Sequence, residues 1–150
     1  MTRTDSWARA GLVLGVVLVA DQLTKRTVGN SVAPGDSDGV FPAVSIVHVR
    51  NDGIAFGALG GGQTFVVVLV AAALVGLVAF FVTHATWPLV WLPTGLLLGG
   101  ALGNIFDRVR DGAVTDFIKL PHWPAFNLAD MAITVGILAL VYVLDAGRDT

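Results

Sequence analysis

Between Thr64 and Val82 no side chain carries a charge, and nearly every residue is apolar. A helix rises 1.5 Å per residue, so about 20 such residues match the ~30 Å hydrocarbon core of a bilayer. This run restricts the fold more than any other feature. Three further stretches have similar length and character: about 7–28, 88–106 and 126–144. Trp87 and Trp91 flank the start of one and Tyr142 lies near the end of another, as amphipathic rings do at a membrane–water boundary. The whole chain of 150 residues is 55% hydrophobic and only 13% charged, against about 25% charged in soluble domains. With a mean hydropathy of +0.77, too few polar side chains remain to coat a water-soluble domain. The expected fold is an all-α membrane protein of four transmembrane helices with a small β-rich loop region, forming one domain over 1–150.

The first stretch follows Arg3 and Arg9, as in a secretory leader, but runs into Asp21-Gln22-Leu23-Thr24-Lys25 rather than a small-residue cleavage site. It is read as an uncleaved first span. The second and third stretches are joined by the short turn His84-Ala85-Thr86-Trp87. The other two connections are long. The first, about 29–62, has a turn signal at Asp36-Ser37-Asp38-Gly39 and a β-branched run from Val44 to Val49 that reads as a strand. It continues through an Asn51-Asp52-Gly53 turn to a flexible Gly60-Gly61-Gly62 joint. The second, about 107–125, contains a short strand-like run, Val114 to Ile118, before Pro121-His122-Trp123-Pro124. With four spans, both long connections emerge on one face and both termini on the other. Counting Lys and Arg near the spans would put the long connections in the cytoplasm, although several of these cations stand beside aspartates.

Composition excludes several chemistries. The net charge of −2, without basic clusters, gives no nucleic-acid partner. No cysteine is present, so disulfides, thiol catalysis and thiolate metal sites are out. His48, His84 and His122 lack metal-ligand spacing. None of the four serines sits in a nucleophile motif. All eleven acids are aspartates, and two of them stand in or beside membrane-length stretches: Asp116 in Val-Thr-Asp-Phe-Ile and Asp130 in Phe-Asn-Leu-Ala-Asp-Met. An ionisable group there costs roughly 2.5–3.5 kcal/mol at a helix centre and marks a functional candidate. Two that approach in space would share one proton, the chemistry of an aspartic peptidase.

Other constellations admit two readings each. Asp21 and Lys25 are one helical turn apart, an ion pair tolerable near the membrane or a brace behind a site. Asn51-Asp52-Gly53 is a turn or the start of a peptide-binding loop. Gly95, Gly99 and Gly103 form a small-residue stripe suited to close helix packing. Gly100, Asn104 and Arg108 share another face, where Arg108 is a snorkelling cation or a fixed charge aimed at a carboxylate or substrate. Asn127 and Asp130 have capping-box spacing, which is compatible with a catalytic Asp130 on a rigid helix start.

Five of these motifs together resemble lipoprotein signal peptidase (signal peptidase II). They are Asp21-Gln-x-x-Lys25, Asn51-x-Gly-x-Ala-Phe-Gly57, Gly99-Gly-Ala-x-Gly-Asn-x-x-Asp-Arg108, Val114-x-Asp-Phe-Ile118 and Phe126-Asn-x-Ala-Asp130. They run in the family's order over nearly the whole chain. The resemblance implies catalytic aspartates at Asp116 and Asp130, and supporting roles for Asp21, Lys25, Asn51, Gly100, Asn104, Arg108 and Asn127. It implies a multi-pass protein of the bacterial inner membrane with cytoplasmic termini and extracytoplasmic long loops, against the charge count. The implied substrate is a diacylglyceryl-modified prolipoprotein, cut just before the modified cysteine by a monomer in contact with membrane lipids. No metal or cofactor is called for. Two rivals remain from other classes: a small proton-coupled transporter subunit, and an inactive helper that binds lipidated peptides.

Overall fold

The computed structural model describes residues 1–53 and 62–146. Its elements in chain order are α1 (Arg3–Ser31), β1 (Ser37–Phe41), β2 (Val44–Asn51), α2 (Gly62–His84), α3 (Trp91–Asp111), β3 (Val114–Lys119) and α4 (Leu128–Ala146). The expected loop segment Ile54 to Gly57 and the Gly60–Gly61 part of the flexible joint lie outside the described residues.

Helices occupy all four apolar stretches. Three of them, α1, α2 from Thr64 onward and α4, are long and apolar enough to cross a membrane. The helix α3 has 21 residues, yet its glycines, Asn104 and charged last turn dilute its apolar character. It is instead the packing centre, in contact with α1, α2 and α4. The stripe predicted from spacing faces α1. A Cβ on Gly95 or Gly99 would lie 2.7 Å or 2.9 Å from the carbonyl oxygens of Ala10 and Leu14, so only glycine lets these two backbones come this close.

Local chemistry sets the ends. Thr2 and Asp5 close a reciprocal capping box at the start of α1. Leu89, with φ of 61°, breaks the chain ahead of α3, so the connection from His84 runs to Val90 and not only to the expected Trp87. Pro93 then sits in the first turn, where its missing N–H costs nothing. Gly112 ends α3 in the left-handed conformation, φ 74°. At the terminal end of the bundle, Arg3 donates to the Val82 carbonyl and Ser6 to that of Ala85. Trp7 there packs edge-on to Phe81 at 4.7 Å.

At the opposite end lies an antiparallel sheet in the order β1-β2-β3. The expected strands are present as β2 and β3. The strand β1 corrects the sequence reading, which assigned Asp36-Ser37-Asp38-Gly39 to a turn. The turn is earlier, with the Asp36 N–H on the Ala33 carbonyl at 3.0 Å. From Ser37 the chain pairs with β2, Ser37 opposite Val47. All five β1 residues are exposed, so the strand is held by backbone pairing and leaves no apolar alternation to read. Phe117, Val28 and Val32, with Ile46, Ile118 and Leu128 against them, join the sheet to the end of α1 and the start of α4. Ile118 and Phe126 exchange two backbone hydrogen bonds, 2.8 and 3.0 Å. They fold the β3–α4 connection back on itself and bring the beginning of α4 beside Asp116.

Candidate active site

The site forms where β2, β3, α1, α3 and α4 converge. In β2–β3 pairing Val49 faces Asp116 and Asn51 faces Val114. Asn51 therefore stands diagonally from Asp116 on the neighbouring strand. Its Oδ1 accepts the N–H of Gly53, 3.1 Å, whose φ of 74° suits glycine. The Nδ2 is left to donate to Asp116 Oδ2 at 3.0 Å.

Asn127 caps α4. Its Oδ1 accepts the Asp130 N–H at 2.9 Å, while its own N–H donates to Asp130 Oδ2 at 3.1 Å, the reciprocal box expected from spacing. Its Nδ2 donates to Asp116 Oδ1 at 2.8 Å and to Asn104 Oδ1 at 3.2 Å. Asn104 on α3 donates to Asp130 Oδ1 at 2.8 Å. Each of the four carboxylate oxygens of Asp116 and Asp130 thus accepts one amide N–H, and both acids share Asn127 as a donor. Asn127 is fully buried and Asp116 only 3% exposed. Burial pushes the Asp116 carboxyl above the ordinary carboxylate value; hydrogen bonds from Asn51 and Asn127 oppose this, and the nearby charge of Asp130 adds to the rise.

Behind the acids lies a buried charge cluster. Lys25 Nζ is 2.7 Å from Asp21 Oδ2, 2.6 Å from Asp107 Oδ2 and 2.9 Å from Asn104 Oδ1. Asp21 Oδ1 accepts the N–H of Ala129 at 2.9 Å, across helices. A Cβ on Gly103 would fall 2.7 Å from Asp21 Oδ2, and one on Gly100 would fall 2.6 Å from the Ala129 carbonyl oxygen. Gly100 and Gly103 therefore let α1 and α4 close onto this cluster.

Asp116, Asp130, Asn51, Asn104, Asn127, Lys25 and Asp21 all belong to this network. Arg108 donates through Nη1 to the Asn104 backbone carbonyl, 3.3 Å, one turn back along α3. Sequence reasoning missed Asp107 and Gln22, whose Nε2 donates to Asp107 Oδ1 at 2.8 Å. Both stand inside quoted motifs, and Asp107 lies three residues from Asn104 on one helical face, which was the available signal. Among the described residues, no three His, Cys, Asp or Glu side chains are grouped to hold a metal ion.

A groove of about 410 Å³ opens beside Asp130, lined by Leu120, Trp123, Phe126, Met131, Thr134 and Val135. A larger space of about 640 Å³ between α2, α3 and α4 has only apolar side chains and glycine around it. It offers no acid, base or nucleophile.

The architecture defines a helical membrane protein with a paired-carboxylate site at one end of its bundle. The family model described as signal peptidase (SPase) II matches residues 13–145. The lipoprotein signal peptidase of Moorella thermoacetica is 43% identical over 131 residues, covering 86% of this chain and 87% of that protein. That of Pelotomaculum thermopropionicum is 39% identical, covering 89% of each. That of Staphylococcus aureus is 37% identical, covering 89% of this chain and 85% of its own length. A bacterial membrane enzyme solved by the in meso method at 1.9 Å resolution superposes with a TM-score of 0.84 at 36% identity, covering 90% of this chain and 91% of the other. The chain belongs to the signal peptidase II family, and is accordingly a membrane-bound protease.

Proposed function

We propose that this protein is an aspartic endopeptidase that removes the signal peptide from diacylglyceryl-modified prolipoproteins by cutting the peptide bond just before the modified cysteine. The observation that carries the reading is the shared hold on Asp116 and Asp130: two acids from separate elements, gathered on Asn127, with every oxygen positioned by an amide donor. Two carboxyls held by one residue, Asn127, do not both ionise readily, so one proton is shared between them. The ionised acid removes a proton from a water molecule, whose oxygen attacks the scissile carbonyl carbon. The protonated acid gives its proton to the carbonyl oxygen. Collapse of the resulting gem-diol breaks the C–N bond as a proton returns to the leaving amine. The dyad titrates as a pair, so neither acid is assigned a fixed role.

The substrate's lipid would hold the cleavage site at the membrane surface. The apolar groove ending at Asp130 suits a segment that is part peptide and part hydrocarbon. We infer four spans, with α3 crossing as the inner helix because its polar residues face α1 and α4 instead of lipid. The termini would be cytoplasmic and the sheet and dyad at the outer face of the bacterial inner membrane, where a translocated signal sequence emerges. The unit is a monomer and a single domain. Lys25 is neutralised between Asp21 and Asp107 and Arg110 pairs with Asp111 at 3.3 Å, which reduces their weight in the charge count that favoured the opposite orientation.

Purified protein in detergent, given a diacylglyceryl-modified model peptide, tests the reading. Asp116→Asn and Asp130→Asn are each expected to abolish cleavage while leaving the protein folded. Near-full turnover by either variant refutes the dyad. A folded wild type with no cleavage, but with proton uptake in vesicles, would favour the transporter.

A further inference from the structure

We propose that Lys25 is a positioning residue for the dyad: its ammonium fixes the side-chain amide of Asn104 so that the N–H, never the carbonyl, faces Asp130. This deepens the aspartic peptidase reading and rests on it.

Donors and acceptors decide which way the amide points. An ammonium carries donors only, whereas an amide has one end of each kind. At 2.9 Å from Lys25 Nζ, Asn104 can present only its oxygen. The same oxygen accepts from Asn127 Nδ2 at 3.2 Å, so both of its lone pairs are used. The Nδ2 is left facing Asp130 Oδ1 at 2.8 Å. Rotating the amide by half a turn would set N–H groups against the ammonium and against the Asn127 amide, and a carbonyl against the carboxylate. With Lys25, Asn104 and Asn127 all buried, those clashes would be poorly screened.

Lys25 is itself immobilised. Asp21 and Asp107 flank it, it is 6% exposed, and Gln22 holds the other oxygen of Asp107. Asp21 also grips the Ala129 N–H, one residue before Asp130. One cluster on α1 and α3 therefore sets both the start of α4 and the amide that meets its acid. Among the described residues, the charged groups around Asn104 and Asp130 are Lys25 from α1 with its partners Asp21 and Asp107, Arg108 from α3 on the Asn104 backbone carbonyl, and Asp116 from β3.

Without the ammonium, only the longer bond from Asn127 Nδ2, 3.2 Å, still holds the Asn104 oxygen, and the carbonyl turns toward Asp130 more readily. A carbonyl bonds only a carboxyl that carries a proton. The dyad would then keep both protons to higher pH, and the limb on which activity rises with pH would move upward.

Removing Lys25 alone leaves two buried acids facing each other and risks unfolding. The test is therefore Lys25→Met combined with Asp107→Asn, which removes one positive and one negative charge. Diacylglyceryl-peptide cleavage is followed across pH, with thermal unfolding in detergent as the check on folding. The expected result is a kcat lower by about 10-fold to 100-fold, as for other groups that orient a functional ligand, with KM little changed and the rising limb at higher pH. Asn104→Leu, an uncharged swap of similar shape, is expected to move the same limb the same way. The triple variant is expected to lose little beyond Asn104→Leu, because the effects are coupled. Wild-type kcat and pH profile in the charge-neutral variant, or losses that multiply in the triple variant, overturn the proposal. If the charge-neutral variant does not fold, an unshifted limb in Asn104→Leu overturns it alone. Activity in the Asp116→Asn control would instead remove the dyad reading, so the two failures are distinguishable.

Discussion

Asn127 makes four contacts from one position: it caps α4, meets both acids and bonds Asn104. Serine is a comparable cap but is too short to reach Asp116. Asn127→Ser is expected to lower stability by about 1–3 kcal/mol, the cost of unsatisfied buried groups. It should reduce cleavage on the order of 100-fold or more, the scale of losing a preorganised donor. Thermal unfolding and turnover measured on the same preparation check this disproportion. Asp116 gives a second prediction. Its carboxyl is raised above the reference value of 3.8, so the folded state holds that proton more tightly than the unfolded one. The favourable contribution is present below the unfolded value and is lost as pH rises through the folded one. The melting temperature of Asp116→Asn relative to wild type is therefore expected to increase from acid to neutral pH; a constant or shrinking difference contradicts it. The individual acids were legible because carboxylates are conspicuous beside apolar runs. Asp107 was not, because its partner Lys25 lies on another helix and only the fold joins them.

The helix α3 carries its packing in glycine. A methyl at Gly103 would strike Asp21 Oδ2 at 2.7 Å, and one at Gly99 the Leu14 carbonyl oxygen at 2.9 Å, whereas Gly15 has nothing within 4 Å. Gly103→Ala is expected to cost about 1–3 kcal/mol, as overpacking does, and to reduce cleavage by disturbing the Lys25 cluster. Gly15→Ala is expected to leave both intact. Unfolding midpoints and turnover of the two variants side by side provide the measurement. The stripe could be read from spacing alone, since small residues four apart need a helix to make sense. The strand β1 could not, because its side chains are exposed and its cause is the neighbouring β2 backbone.

At the scale of the molecule, the proposed orientation can be tested directly because the chain has no cysteine. A single cysteine replacing exposed Asp38 in β1 is expected to react with a membrane-impermeant maleimide on intact cells. One replacing exposed Thr4 is expected to react only after permeabilisation; the reverse pattern would invert the topology. The long helices were legible from apolar length, and the two loop strands from β-branched runs. Charge counting points to the orientation opposite to the proposed one; Lys25, included in that count, is neutralised between Asp21 and Asp107. The grip on the acids has one more consequence. Of the amides that hold Asp116 and Asp130 among the described residues, those of Asn104 and Asn127 are uncharged and buried. Dissolved ions screen exposed charges over about 8–10 Å but have little hold on buried dipoles. Under the proposed mechanism, turnover is thus expected to change little with added salt.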